Sequence, residues 1–250
     1  MHSRFSFDGQ NTCSDMASAA WNRGLKYICF TEHHNESIEI PQFHRQIPYS
    51  EYFETIASLK EEYRGRMEIL CGIEYDQPEL YPEALAKLQE YDLDMIMGSM
   101  HHVFGVYAGC DAPFKRHFPD EVIEEYYRLT TVAANQGMID VIGHFDLVLK
   151  CCPDRSIDMK KKRVAALQAI AENNIALEIN TGGLRCEYGS PYPTQNVIEE
   201  FAEVGGKMIL FGSDAHCVND VASPFDKIEN MDLCGLTPGV FIKRKFVAVN

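Results

Sequence analysis

Apolar residues along the chain fall into short unbroken runs separated by longer amphipathic stretches. The runs cover residues 27–31, 67–74, 94–98, 139–144, 176–180 and 207–212. Their length and continuous apolar character predict strands buried on both faces, as in a parallel sheet. Between them the period changes. Residues 120–135 carry apolar side chains at 122, 123, 126, 129, 133 and 134, acids in the first turn and Gly137 just beyond, which predicts a helix with a glycine stop. Residues 158–173 place Val164, Leu167, Ile170 and Ala171 on one helical face. Thr194, after Pro193, is a candidate N-cap for a helix ending near Gly205. Strand and helix alternate five or six times, so the fold class is α/β, either a βα barrel or a doubly wound sheet. With no linker or repeat to divide it, the chain reads as one domain over residues 1–250.

The residues that carry chemistry stand just past the apolar runs. The first run leads to Glu32, His33 and His34, and the second ends at Glu74 and Asp76. The third leads to Ser99, His101 and His102, the fourth to His144 and Asp146, and the last to Asp214 and His216. The chain itself opens with His2, six residues before Asp8. In a parallel barrel the C-terminal strand ends converge on one face, where such enzymes keep their active sites. Imidazoles mixed with carboxylates are ligands for zinc, iron or manganese, and the lack of cysteine there argues against a structural zinc site. Neither a G-x-S-x-G elbow nor a phosphate-binding glycine loop is present.

Charge and cysteine usage narrow the function further. Asp and Glu number 37 against 23 Lys and Arg, a formal charge of -14. That balance argues against nucleic acid as the partner, because a backbone-binding surface needs a basic stripe. No apolar stretch approaches the roughly 20 residues of a membrane-spanning helix, and no secretory signal stands behind Met1. The nine cysteines are odd in number and form no C-x-x-C pair, so free thiols and a reducing, cytoplasmic compartment are expected.

The ordered segments His2-Ser3-Arg4-Phe5-Ser6-Phe7-Asp8-Gly9, Thr31-Glu32-His33, Gly72-Ile73-Glu74, Gly98-Ser99-Met100-His101-His102, Gly143-His144 and Gly212-Ser213-Asp214-Ala215-His216 resemble the PHP (polymerase and histidinol phosphatase) superfamily. Residues 177–185, Leu-Glu-Ile-Asn-Thr-Gly-Gly-Leu-Arg, resemble its histidinol-phosphatase branch. The resemblance implies a distorted TIM-like barrel of about seven βα units with two or three divalent ions. By the same resemblance His2, Glu74 and Asp214 serve a first metal. Glu74 bridges to a second with His101 and His144, and Asp8, His33 and His216 hold a third. The family's first motif is Asp-x-His-x-His, of which only the last histidine, His2, stands here. The expectation is a truncated first strand, a frayed His2 and a weak first metal site.

The implied reaction is hydrolysis of a phosphate monoester, L-histidinol phosphate in histidine biosynthesis, with Glu74, Asp214 and Arg185 at the reacting centre. Arg185 is the first choice for a phosphate clamp, with Arg4 and Arg116 as further candidates. His102 and His34 each stand next to a proposed ligand and are candidate donors or substrate contacts. Asp146 is a candidate for orienting an imidazole, while His44 and His117 read as loop residues. Other phosphoesterases of the same superfamily, a proofreading nuclease and a binding protein with a degenerate site are the competing readings. Homo-oligomerisation is left open.

Overall fold

A computed structural model describes residues 1–36 and 47–249; His44 lies outside them. Helix α1 (Cys13–Asn22) starts at Thr12, whose hydroxyl and the Asp15 carboxylate close a reciprocal cap. Strand β1 (Tyr27–His34), α2 (Tyr49–Glu62), β2 (Glu68–Asp76), α3 (Pro82–Leu88) and β3 (Met95–Ser99) come next. A short hairpin, β4 (His102–Val103) and β5 (Val106–Tyr107), then leads to α4 (Pro119–Gln136), β6 (Val141–Ile142), α5 (Lys160–Glu172), β7 (Ala176–Asn180), α6 (Gln195–Glu203) and β8 (Met208–Gly212). The described chain ends in an antiparallel pair, β9 (Thr237–Ile242) and β10 (Lys245–Ala248).

The main sheet runs β1-β2-β3-β6-β7-β8-β9-β10. Its first seven members are parallel, matching the count of about seven expected for the distorted barrel. All six apolar runs lie on strands of this sheet, although the fourth yields only the two-residue β6. The α4 stripe is as the period requires. Val122, Ile123, Tyr126, Leu129, Ala133 and Ala134 are all buried, and Gly137 ends the helix at φ 66°, a left-handed conformation that glycine adopts without strain. On α5 the buried face is Ala166, Leu167, Ala169 and Ile170, shifted slightly from the expected stripe.

Side-chain alternation divides the core in two. Ile96 of β3 faces the large cluster between sheet and helices, while its neighbours Met95 and Met97 join Val141, Ala176, Leu210 and Phe241 in a smaller one on the other face. Phe241 belongs to β9, so the terminal hairpin fills the concave side of the curled sheet. Sequence periodicity did not predict this hairpin, because Pro238 and Gly239 interrupt its alternation.

At the other end of the chain, Met1 lies beside β1. Its amino group donates to Cys29 O (3.2 Å) and Thr31 Oγ1 (3.1 Å), and its carbonyl accepts from Thr31 N (2.9 Å). His2 N donates to Ala215 O at 2.8 Å, tying the segment to the turn after β8. The expected fraying of His2 is therefore corrected: the residue is pinned on both sides and 1% exposed.

Candidate active site

Register brings the polar ends of the strands level. His33 of β1 pairs with Glu74 of β2, and Asp76 of β2 with Ser99 of β3, two residues before His101. His144 lies just past β6 and Asp214 just past β8; both have left-handed backbones, at φ 26° and 49°, where a non-glycine residue costs about 1–3 kcal/mol. Gly143 permits the close approach that places His144, since a Cβ there would lie 2.7 Å from both Met97 Sδ and Ser99 Oγ.

All eight residues proposed as metal ligands meet in one cluster. His2 Nε2 lies 3.1 Å from Glu74 Oε2 and 3.2 Å from Asp214 Oδ1. Glu74 Oε1 lies 3.0 Å from His144 Nε2 and 3.3 Å from His101 Nε2, and those two nitrogens are 3.1 Å apart. Asp8 Oδ2 lies 3.6 Å from His33 Nε2 and 3.3 Å from His216 Nε2. The rings of His33 and His216 each stack on that of His2, at centroid distances of 4.2 and 4.3 Å, and lie 5.8 Å from one another.

The titration behaviour shows what this crowding demands. Burial pulls the His2 imidazolium down, yet hydrogen bonds to Asp214 and Glu74 outweigh it and lift the group to about 9. Burial, then the neighbouring charge of His2, drives His33 down to about 3. For Glu74, burial acts upward, but the surrounding imidazoles hold the carboxyl well below its ordinary range. Asp214 is likewise held low against its burial, chiefly by His2 and His216. Three carboxylates thus draw positive charge into a buried space where imidazole nitrogens already crowd one another. Divalent cations satisfy such nitrogen and oxygen lone pairs together, so the donor set fits them.

A cavity of about 350 Å³ opens above the cluster. Asp8, His33, His101, His144, Asp214 and His216 lie in its lining, with Tyr107, Lys150, Arg185 and Tyr192 around them. Arg185 ends the 3₁₀ turn after β7. Its Nη1 donates to Ser223 O, its Nη2 donates to Asp214 O at 3.2 Å, and its Nε lies 3.6 Å from Asp220.

The other two arginine candidates are corrected. Arg4 is exposed and donates Nε to Gln10 O at 3.0 Å, and Arg116 is exposed beyond the 3₁₀ turn Pro113–Lys115; neither lines the cavity. His102 does line it. His34, on the opposite face of β1 from His33, instead bonds Tyr49 Oη (2.6 Å) and Glu36 (2.8 Å). His117 stacks on Phe104, as a loop residue would.

Asp146 is also corrected: it accepts from Tyr127 Oη at 3.0 Å. Orientation of an imidazole falls to Asp76, whose Oδ1 is 3.0 Å from His101 Nδ1 and whose Oδ2 is 3.5 Å from His102 Nδ1. A signal for Asp76 was present, because it lies two residues beyond Glu74 and so faces the same side of β2. Lys150 left no such signal; a lysine six residues after a candidate ligand histidine is indistinguishable from a surface residue.

Comparison with known proteins adds relatives. The PHP domain model matches residues 1–182. A probable histidinol-phosphatase of Deinococcus radiodurans is 29% identical over 90% of this chain and 88% of its own length. A histidinol-phosphatase of Lactococcus lactis is 28% identical over 86% of this chain and 82% of its own. Among solved structures, histidinol phosphate phosphatase from Lactococcus lactis, complexed with zinc, L-histidinol and phosphate, superposes with a TM-score of 0.84. That match has 23% identity and covers 99% of this chain and 97% of the other.

Proposed function

The chain belongs to the PHP family, and from that premise we propose that it is a phosphomonoesterase converting L-histidinol phosphate and water to L-histidinol and phosphate. The observation that carries the reading is the convergence of five imidazoles and three carboxylates beneath a cavity whose wall supplies Arg185 and Lys150.

His2, Glu74 and Asp214 would hold one divalent ion, Glu74, His101 and His144 a second, and Asp8, His33 and His216 a third. Zinc suits this set, iron and manganese use similar ligands, and the Lactococcus lactis structure carries zinc. Such ions would lower the pKa of a water at the site and neutralise phosphate oxygens. The remaining work belongs to the chain itself. Arg185, fixed by two backbone carbonyls, and the ammonium of Lys150 meet phosphate charge that grows toward the transition state. Asp76 accepts from His101 Nδ1, which holds that ring so that Nε2 faces Glu74. Tyr107 and Tyr192 give the cavity aromatic walls against which an imidazole-bearing alcohol packs.

No helix among the described residues is long and apolar enough to cross a membrane, and we place the reaction in the cytoplasm. The test is phosphate release by zinc-loaded protein from L-histidinol phosphate, a nucleoside monophosphate and a sugar phosphate. The expected result is strong preference for the first, lost on chelation and restored by zinc. Equal release from all three, or from none, would overturn the assignment.

A further inference from the structure

Glu32 sits on β1 beside His33 and is 0% exposed, yet among the described residues no lysine, arginine or histidine pairs with it. Its carboxylate is satisfied by the first six residues of the chain. Ser3 N lies 3.1 and 3.0 Å from its two oxygens, Ser3 Oγ donates to Oε1 at 2.7 Å, and Ser6 Oγ donates to Oε2 at 2.6 Å. Ser6 Oγ also accepts from His33 N at 3.0 Å and lies 3.3 Å from His2 Nδ1.

A hydroxyl carries one proton. The short contact to a buried carboxylate, a far stronger acceptor than an imidazole nitrogen, takes it. Ser6 Oγ can then only accept from His2, so His2 Nδ1 must carry hydrogen. Nε2, the atom that faces Glu74 and Asp214, is then the nitrogen that gives up its proton when a metal binds. We propose that Glu32 is a positioning residue which, through Ser6, fixes the tautomer and ring orientation of His2 as a metal ligand. The same contacts hold the start of the chain against β1, so one buried charge both anchors the segment and orients its imidazole. This inference rests on the metal-centre reading above.

Glu32→Gln turns one oxygen into an N–H donor, which competes for Ser6 Oγ and releases the hydroxyl proton toward His2 Nδ1. Chelator-competition titration should show the His2-containing zinc site weakened about 10- to 100-fold, with the other zinc equivalents unchanged. Ser6→Ala leaves the Ser3–Glu32 contacts in place and should weaken the same site, so it carries the test if Glu32→Gln does not fold. In zinc-loaded protein with isotope-labelled histidine, His2 should show an Nδ1-bound proton protected from exchange, and Ser6→Ala should lose that protection. Parental zinc affinity in the folded variants, or a His2 bound to zinc through Nδ1, overturns the relay alone. Zinc bound by neither parent nor variants removes the metal centre and the relay together.

Discussion

Both ends of the curled sheet bury carboxylates, and they resolve the cost in opposite ways. At the N-terminal edge Asp94 precedes β3 and Asp140 precedes β6. Asp94 accepts from Cys71 N (2.8 Å), Lys243 N (3.0 Å) and Lys60 Nζ (2.8 Å). Asp140 accepts from Ile96 N at 2.7 Å and pairs with Arg244, whose Nη1 and Nη2 go on to Gln89 Oε1 and Met138 O. Every contact there joins a donor to an acceptor. At the C-terminal edge Glu74 is surrounded by imidazoles that also approach one another, and three carboxylates meet in a small volume. A buried polar network is stabilising only when its members are satisfied. The lower network completes itself within the chain, whereas the upper one, in the proposed function, is completed by cations that arrive from outside. This contrast, rather than burial or charge alone, separates a structural cluster from a site.

Glu74→Gln tests the contrast most severely, because it removes the carboxylate shared by two ligand sets. Turnover should fall at least about a thousandfold, and elemental analysis should find less metal. Parental metal content and rate would mean that the upper cluster is no more a site than the lower one. Next in size, Arg185→Ala and Lys150→Ala should each cost roughly a hundredfold in kcat/KM. Melting temperatures should barely move. Normal kinetics for both variants would remove the cationic wall from the mechanism.

The lower edge should behave in the reverse sense. Arg244→Ala leaves Asp140 buried without its cation, and removing one partner of such a pair is destabilising by roughly 2–4 kcal/mol, discounted for the partial exposure of the arginine. Urea unfolding should register the loss while kcat stays at the parental value. A variant of parental stability, or one with lower kcat at full folding, would blur the distinction between the two ends.

The same contrast decides how much was legible in sequence. Six of the eight proposed ligands could be read because they stand at or just past the end of a continuous apolar run, and parallel strands bring those points together; His2 and Asp8 follow no such run. The grouping of His2, Glu74 and Asp214, far apart in the chain, came from the resemblance to the PHP superfamily and not from the apolar pattern. The lower network was not legible. Asp94, Asp140 and Arg244 carry no periodic signal, and their meeting depends on a hairpin whose turn at Lys243 and Arg244 has φ of 51° and 62°. Orientation was also out of reach. Asp146 and Asp76 each stand two residues past a proposed ligand, but Asp146 turns toward Tyr127 and only Asp76 faces an imidazole. That difference depends on the backbone after each strand: β2 continues through Asp76, so alternation holds, whereas β6 has ended before His144.

Glu79 offers the smallest test, because it is a largely buried carboxyl that belongs to neither network. Its Oε1 accepts from Gln77 Nε2 and its carbonyl from Gln136 Nε2. Its Oε2 and Gln136 Oε1 meet no donor among the described residues. Burial, with Asp76 nearby, pushes the carboxyl up to about 7. The folded state therefore holds this proton more tightly than the unfolded chain. The resulting stabilisation is full below the unfolded carboxyl pKa and is lost as pH rises through about 7. Glu79→Gln supplies an N–H where the protonated acid supplied O–H, and it cannot ionise. Its advantage over the parent should reach about 1–2 kcal/mol near pH 8.5 and disappear near pH 5. Denaturation of both proteins at the two pH values measures the difference, and titration of the shared histidines cancels between them. An equal gap at both values would mean that Glu79 is ionised throughout. Unpaired acceptors beside the site would then be satisfied by something other than a proton, and the rule separating the two ends would need a third class.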